Sequence, residues 1–220
     1  MQQSAVRRMA KKIKDIEEWC PVLQRPDDAA YLSYLMQGLG TRQLVADVTP
    51  SYALLTVDRL RRMAAILPDV RFVYLMRDPL ARLWSHVRMS ASRRIGDLQA
   101  EAGSVLDAVL KGQQADIQAR GDYRAVVGRL DAAVDPSRLL VMFQEVLLTI
   151  PGIRQLCAFL GIADHPADFT NRVHQGPRLT MSGNQAMRAR VALRAQYDFA
   201  ADRLGTLPDA WLGNIKEGMA

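Results

Sequence analysis

The stretch FVYLMRDPLARLWSHVRM, residues 72–89, decides how this chain is read. It opens as an apolar, strand-like run, breaks at Arg77-Asp78-Pro79 and continues with the spacing of a helix. Asp78 is a natural N-cap and Pro79 a natural first helical residue, so the start of a helix accounts for both. Beyond them Leu80, Leu83, Trp84 and Val87 form one helical stripe, while Asp78, Arg82, Ser85 and Met89 form another. The first stripe is expected to face a sheet and the second to line a crevice. Capping leaves Arg77 unexplained. Two readings are open: Arg77 pairs with a core carboxylate such as Glu145 while Ser85 is a small packing residue, or the guanidinium and the hydroxyl share a terminal phosphate.

Outward from this stretch, three short runs read as buried strands: RQLVADV at 42–48, VRFVYLM at 70–76 and SRLLVMF at 137–143. Leu55, Leu60, Met63 and Leu67 recur at near-helical spacing between the first two, and Pro68 stops the pattern, which predicts a strand, helix and strand in a parallel crossover. Helical patterns follow at about 79–89, 103–111 and 121–133, then from Pro151 to Gly161, and finally over 183–205. The sum is an α/β fold with a mostly parallel sheet flanked by helices. At the N-terminus, Val6, Met9, Ile13 and Ile16 mark an amphipathic helix. The expected organisation is therefore a helix over 1–24, an α/β domain over 25–213 and a tail over 214–220.

The chain has 220 residues, 49% hydrophobic and 24% charged, enough for a sizeable core. No apolar run approaches the roughly 18–20 residues of a membrane span, and the N-terminus has no apolar region followed by a small-residue cleavage site. These features predict a cytoplasmic protein. Cys20 and Cys157 are far apart and lack metal-ligand spacing, which fits a reducing compartment and no metal. The net charge of +6 suits an anionic partner. The basic clusters, among them Arg7, Arg8, Lys11, Lys12 and Lys14, read as solvated helix faces, and no aromatic residues interleave with them as in a single-strand-binding surface.

The order ADVTPSYALL, then VRFVYLMRDPLARLWSHVRM, then GDYRAVVGRLDAAVDPSRLLVMFQEVLL, then FLGI and YDFAADRLGTLPDAW resembles the sulfotransferases that use 3'-phosphoadenosine 5'-phosphosulfate (PAPS), over residues 28–211 and closest to their bacterial and carbohydrate-modifying branch. The resemblance implies a fold like that of the P-loop nucleotide hydrolases, PAPS as sulfuryl donor, a hydroxyl or amine acceptor and no metal. It implies that Arg77 and Ser85 bind the 3'-phosphate of the cofactor, with Arg82 in support. Tyr123 in GDYR and Arg178 in HQGPRLTMS match later segments that close over cofactor or acceptor. Thr49, Ser51 and Tyr52 of TPSY match a strand-end turn beside the acceptor, although Val48 stands where that branch often has a lysine.

The same resemblance implies an earlier strand with a glycine-rich turn and a lysine for the 5'-phosphosulfate, and a glutamate base after it. Residues 1–41 carry neither; their only glycines, Gly38 and Gly40, end a helix-like stretch. The expected domain is thus incomplete at its N-terminus. Substitute bases, Glu17, Glu18, Asp47 and His86, have structural explanations of their own: Glu17 and Glu18 fall at helical spacing from Lys11, Lys12 and Lys14. Two other functions stay open, a catalytically inactive sulfotransferase-like binding protein and a basic module for nucleic acid or an anionic membrane.

Overall fold

The computed structural model describes residues 2–25, 27–170 and 176–218. Among them, the side chains of residues 2–5, 7, 8, 11, 12, 15 and 23 lie outside the description, so the expected exposure of Arg7, Arg8, Lys11 and Lys12 is not addressed. The chain divides into two compact units, Met1–Pro50 and Ser51–Ala220.

The first unit is helical. Helix α1 runs over Gln2–Leu23 and α2 over Asp28–Met36. Asp27 caps α2 by accepting from the Ala30 amide at 2.8 Å. The two helices meet where the Trp19 ring lies against Tyr34, with centroids 4.5 Å apart, and near Tyr31, at 6.5 Å. Val6, Met9, Ile13 and Ile16 are exposed on α1, and Lys14 pairs with Glu18 at 3.7 Å, as helical spacing predicts. The expected strand at 42–48 does not form. Its Leu44, Val45 and Val48 are exposed, and β-prone residues make a strand only where a neighbouring strand takes up their backbone groups. The expected first crossover is absent with it.

The second unit holds the sheet, two parallel strands: β1, Phe72–Met76, and β2, Leu139–Phe143, in register from Phe72 opposite Leu139 to Met76 opposite Phe143. Helix α3 (Val57–Ala65) precedes β1, with Thr56 as its cap. Four helices connect the strands: α4 (Pro79–Ala91), α5 (Leu98–Leu110), α6 (Ala115–Ala119) and α7 (Tyr123–Ala133). After β2 come the short α8 (Gln144–Leu147), then α9 (Ile150–Leu160), α10 (Gly183–Leu204) and α11 (Asp209–Glu217). Helix α11 runs across residue 213, where a tail was expected. The result is a mixed α/β fold, mostly helical around a small parallel sheet.

Apolar packing fixes α4. Leu80, Leu83, Trp84 and Val87 are all buried, as their spacing predicts. They pack against Val105 and Leu106 of α5 and Ala189 of α10, so this stripe faces helices and not the sheet. The sheet is covered instead by a separate cluster of Met76 and Phe143 with Tyr123, Tyr197 and Trp211, bulky rings that take the place α4 was expected to fill. A third cluster joins Leu60 of α3 to Val126 and Leu130 of α7. Among the described residues no helix is long and apolar enough to cross a membrane, and no group of His, Cys, Asp and Glu is arranged to hold a metal ion.

Candidate functional site

The ladder between β1 and β2 ends at Met76, and the next two residues are held from four sides. The Tyr123 hydroxyl, from the start of α7, donates to the carbonyl of Arg77. The amide of Asp78 donates to Glu145 Oε1, just past β2, at 3.2 Å. The Asp78 carboxylate, 3% exposed, accepts from the Ala81 amide at 2.7 Å as the cap of α4. It also accepts from the Tyr197 hydroxyl of α10 at 3.1 Å and from Asn214 Nδ2 of α11 at 3.0 Å. Burial pushes the Tyr123 and Tyr197 hydroxyls well above the ordinary phenol range, so both stay protonated donors. Asp78 therefore serves more than capping: it ties the C-terminal helices to the strand end. Asn214→Ala removes one hydrogen bond to this carboxylate, and a loss of about 1 kcal/mol is expected, seen as a melting temperature lower by roughly 2–4 °C.

This clamp orients the backbone and leaves the Arg77 side chain free. The guanidinium is half-buried and has no hydrogen-bond or ion-pair partner among the described residues. The pairing with Glu145 is not made: one Glu145 oxygen holds the Asp78 amide and the other, Oε2, is buried without a partner. Ser85 is also half-buried, with a hydroxyl that bonds to no described residue. It stands seven residues after the Asp78 cap, so it lies on the same face of α4, about 10 Å along the axis.

Arg82 behaves differently. Its Nη2 donates to the Ile117 carbonyl at 3.2 Å and its Nε is buried without a partner. The guanidinium lies on Gly121, where a Cβ would come within 2.8 Å of the Arg82 Cζ. Gly121 is thus the cradle of Arg82. Burial lowers the Arg82 pKa, the Tyr123 and Tyr74 hydroxyls oppose that, and the neighbouring charges of Arg120 and Arg77 add to it.

Arg120, which sequence reasoning passed over, belongs to the same group. Its Nη1 and Nη2 each donate to Ser51 Oγ at 3.4 Å, which joins it to the TPSY segment. The only sequence signal was its place immediately before the GDYR motif. His86, one turn beyond Arg82 on α4, is held below its ordinary pKa, first by burial and then by the charges of Arg82, Arg120 and Arg93, with Asp116 acting the other way.

The remaining expected residues are distributed as follows. Tyr123 is buried, its hydroxyl committed to Arg77. Tyr52 is half-buried in the 3-10 turn Pro50–Leu54 that also carries Ser51. Thr49 lies in the first unit, where its hydroxyl donates to Asp47 at 2.7 Å. Arg178 is exposed on a segment strapped to α4 and α5 by Arg88, Trp84 and Gln99, which donate to the carbonyls of Pro177, Leu179 and Thr180 at 3.0, 3.0 and 2.9 Å.

A guanidinium beyond the carboxyl end of a parallel strand and a hydroxyl on the helix that follows, neither with a partner among the described residues, are donor types that a phosphate group accepts. In the first unit, helices α1 and α2 account for most of the described residues up to Met36.

Comparison with known proteins bears on the family and the fold. The model of the sulfotransferase family matches residues 2–166. No curated protein matches the chain. The fold is similar to the crystal structure of a sulfotransferase from Alicyclobacillus acidocaldarius, with a TM-score of 0.64 and 18% identity over 85% of this chain and 74% of that one. At that identity the likeness concerns the fold. With three quarters of its length matched by the family model, and with that fold, the chain belongs to the sulfotransferase family.

Proposed function

We propose that this chain is a PAPS-dependent sulfotransferase domain in which Arg77 and Ser85 bind the 3'-phosphate of the cofactor. The observation that carries the reading is the Arg77 guanidinium, positioned by its clamped backbone and paired with no described residue. When bound, PAPS supplies the sulfuryl group that passes to a hydroxyl or amine acceptor, carbohydrate hydroxyls included. The chain's own residues bind and orient. Arg77 supplies a charge-assisted bond and Ser85 a neutral one, and Asp78, Tyr123 and Glu145 keep the strand end rigid so that the guanidinium meets the phosphate with little reorganisation. Arg82 supports from α4, where it is held by its bond to the Ile117 carbonyl of α6. Tyr123 acts through Arg77, while the family resemblance alone assigns Arg178 to cofactor binding and Thr49, Ser51 and Tyr52 to the acceptor side. The free thiols of Cys20 and Cys157 support a reducing, cytoplasmic setting.

The helical structure of residues 2–36 favours a second reading, a sulfotransferase-like protein that binds the nucleotide without turning it over. Incubation with PAPS labelled in its sulfuryl group and a panel of sugar, phenol and amine acceptors separates the two. Label on an acceptor is the expected result. Tight binding of adenosine 3',5'-bisphosphate with no transfer supports the binding protein, and no affinity for that nucleotide would refute both.

A further inference from the structure

We propose that Arg120, with Ser51 beside it, forms a second anion subsite next to Arg77 and Ser85, and that this subsite takes the 5' anionic group of the nucleotide. The inference rests on the reading above and assigns a part of the site that the Arg77 end leaves without donors.

Three observations carry it. First, Arg77, Arg82 and Arg120 have no carboxylate partner among the described residues. Second, Arg82 and Arg120 come from touching pieces of the fold, since the Arg82 guanidinium rests on Gly121, the residue after Arg120. The charges of Arg77 and Arg120 both bear on Arg82, and those of Arg82 and Arg120 both bear on His86. Like charges repel, so such a group is stabilised by an anion that binds among them. The nearest acids do not neutralise Arg120: the Asp122 carboxylate accepts from the Ala125 amide at 3.0 Å, and Asp116 is exposed and makes no ion pair among the described residues.

Third, the Arg120 fork is poorly used. Both terminal nitrogens converge on one neutral oxygen, Ser51 Oγ, each at the long limit of 3.4 Å. A guanidinium fork matches two oxygens of a phosphate or sulfate far better than one hydroxyl, and forms shorter, charge-assisted bonds with them. Ser51 is exposed and can stay as a further donor to the same group. The backbone of this turn is already tied to the Arg77 end, since Arg82 donates to the Ile117 carbonyl and rests on Gly121, the residue after Arg120. The two subsites are thus built on connected pieces of the fold.

The test is calorimetric titration of the full chain with adenosine 3',5'-bisphosphate, adenosine 3'-phosphate and adenosine 5'-phosphate, for the wild type, Arg77→Ala, Arg120→Ala and Arg120→Gln. Arg120→Gln keeps the side-chain stem and guards against a loss of folding, which a thermal melt checks. Both Arg120 variants are expected to weaken the bisphosphate and the 5'-phosphate by about 10- to 100-fold and to leave the 3'-phosphate within about twofold. Arg77→Ala is expected to weaken the bisphosphate and the 3'-phosphate and to spare the 5'-phosphate. An Arg120 variant that leaves the 5'-phosphate unchanged overturns the assignment, as it would if Arg120 served an anionic acceptor instead. Equal weakening of all three ligands overturns it too. A wild type with no preference for the 3'-phosphate refutes the PAPS reading itself, which is a separate result.

Discussion

Arg77→Ala is expected to lower affinity for adenosine 3',5'-bisphosphate by roughly 30- to 150-fold and to leave the melting temperature within about 1 °C of wild type. Hydrogen bonds to charged groups contribute about 1.5–3 kcal/mol, and the loss of roughly 2–3 kcal/mol converts to that range. Stability is spared because the guanidinium bonds to no described residue. Its removal even relieves the repulsion felt at Arg82. Ser85→Ala, which deletes a neutral donor, is expected to cost only about fivefold. Calorimetry paired with a thermal melt reads both quantities, and a change below about threefold for Arg77→Ala would remove that residue from the site.

The largest expected loss of stability lies elsewhere, at Gly152→Ala. A Cβ at this position would fall 2.8 Å from the Leu147 Cα and closer still to the Val146 carbonyl oxygen, and both obstacles are backbone. The backbone there cannot swing aside as a side-chain end could. The turn from α8 into α9 is also pinned by Thr149, whose hydroxyl donates to the Val146 carbonyl at 2.7 Å and accepts from the Gly152 amide at 3.1 Å. Overpacking usually costs 1–3 kcal/mol, and the rigid case here is expected near the upper end, about 3 kcal/mol, or a melting temperature lower by roughly 6–12 °C. A drop of less than about 2 °C would mean that the turn has room that this geometry denies. Thr149→Ala should cost less, about 1 kcal/mol, because it removes a cap without adding volume.

Local signals were legible where local forces act. Asp78 before Pro79, and Ser182 with Gln185 at the start of α10, form the caps that their residue types favour. The apolar stripe of α4 is buried residue for residue. What it packs against was not legible, because periodicity tells which face of a helix avoids water and not which element covers it. RQLVADV has the composition of a strand and no strand beside it, so its run of apolar residues was misleading. For the candidate site, the Arg-Asp-Pro turn identified Arg77 and Ser85 through resemblance, but nothing in the spacing could tell whether Glu145 would neutralise the arginine.

The sequence by itself determined α1, α3, α4, α5, α7, α9 and α10, the two strands that flank the site, the capped turn at Asp78 and the family to which these segments point. Each depends on residues within a few positions of one another, or on a motif that can be read as a string. Only the tertiary structure decided that Arg77 meets no carboxylate among the described residues, that Tyr123 is committed to its carbonyl, and that the turn after Arg120 lies against Arg82. Whether a charge is paired depends on which side chains the packing of distant helices brings within hydrogen-bond reach, and that information is in the fold.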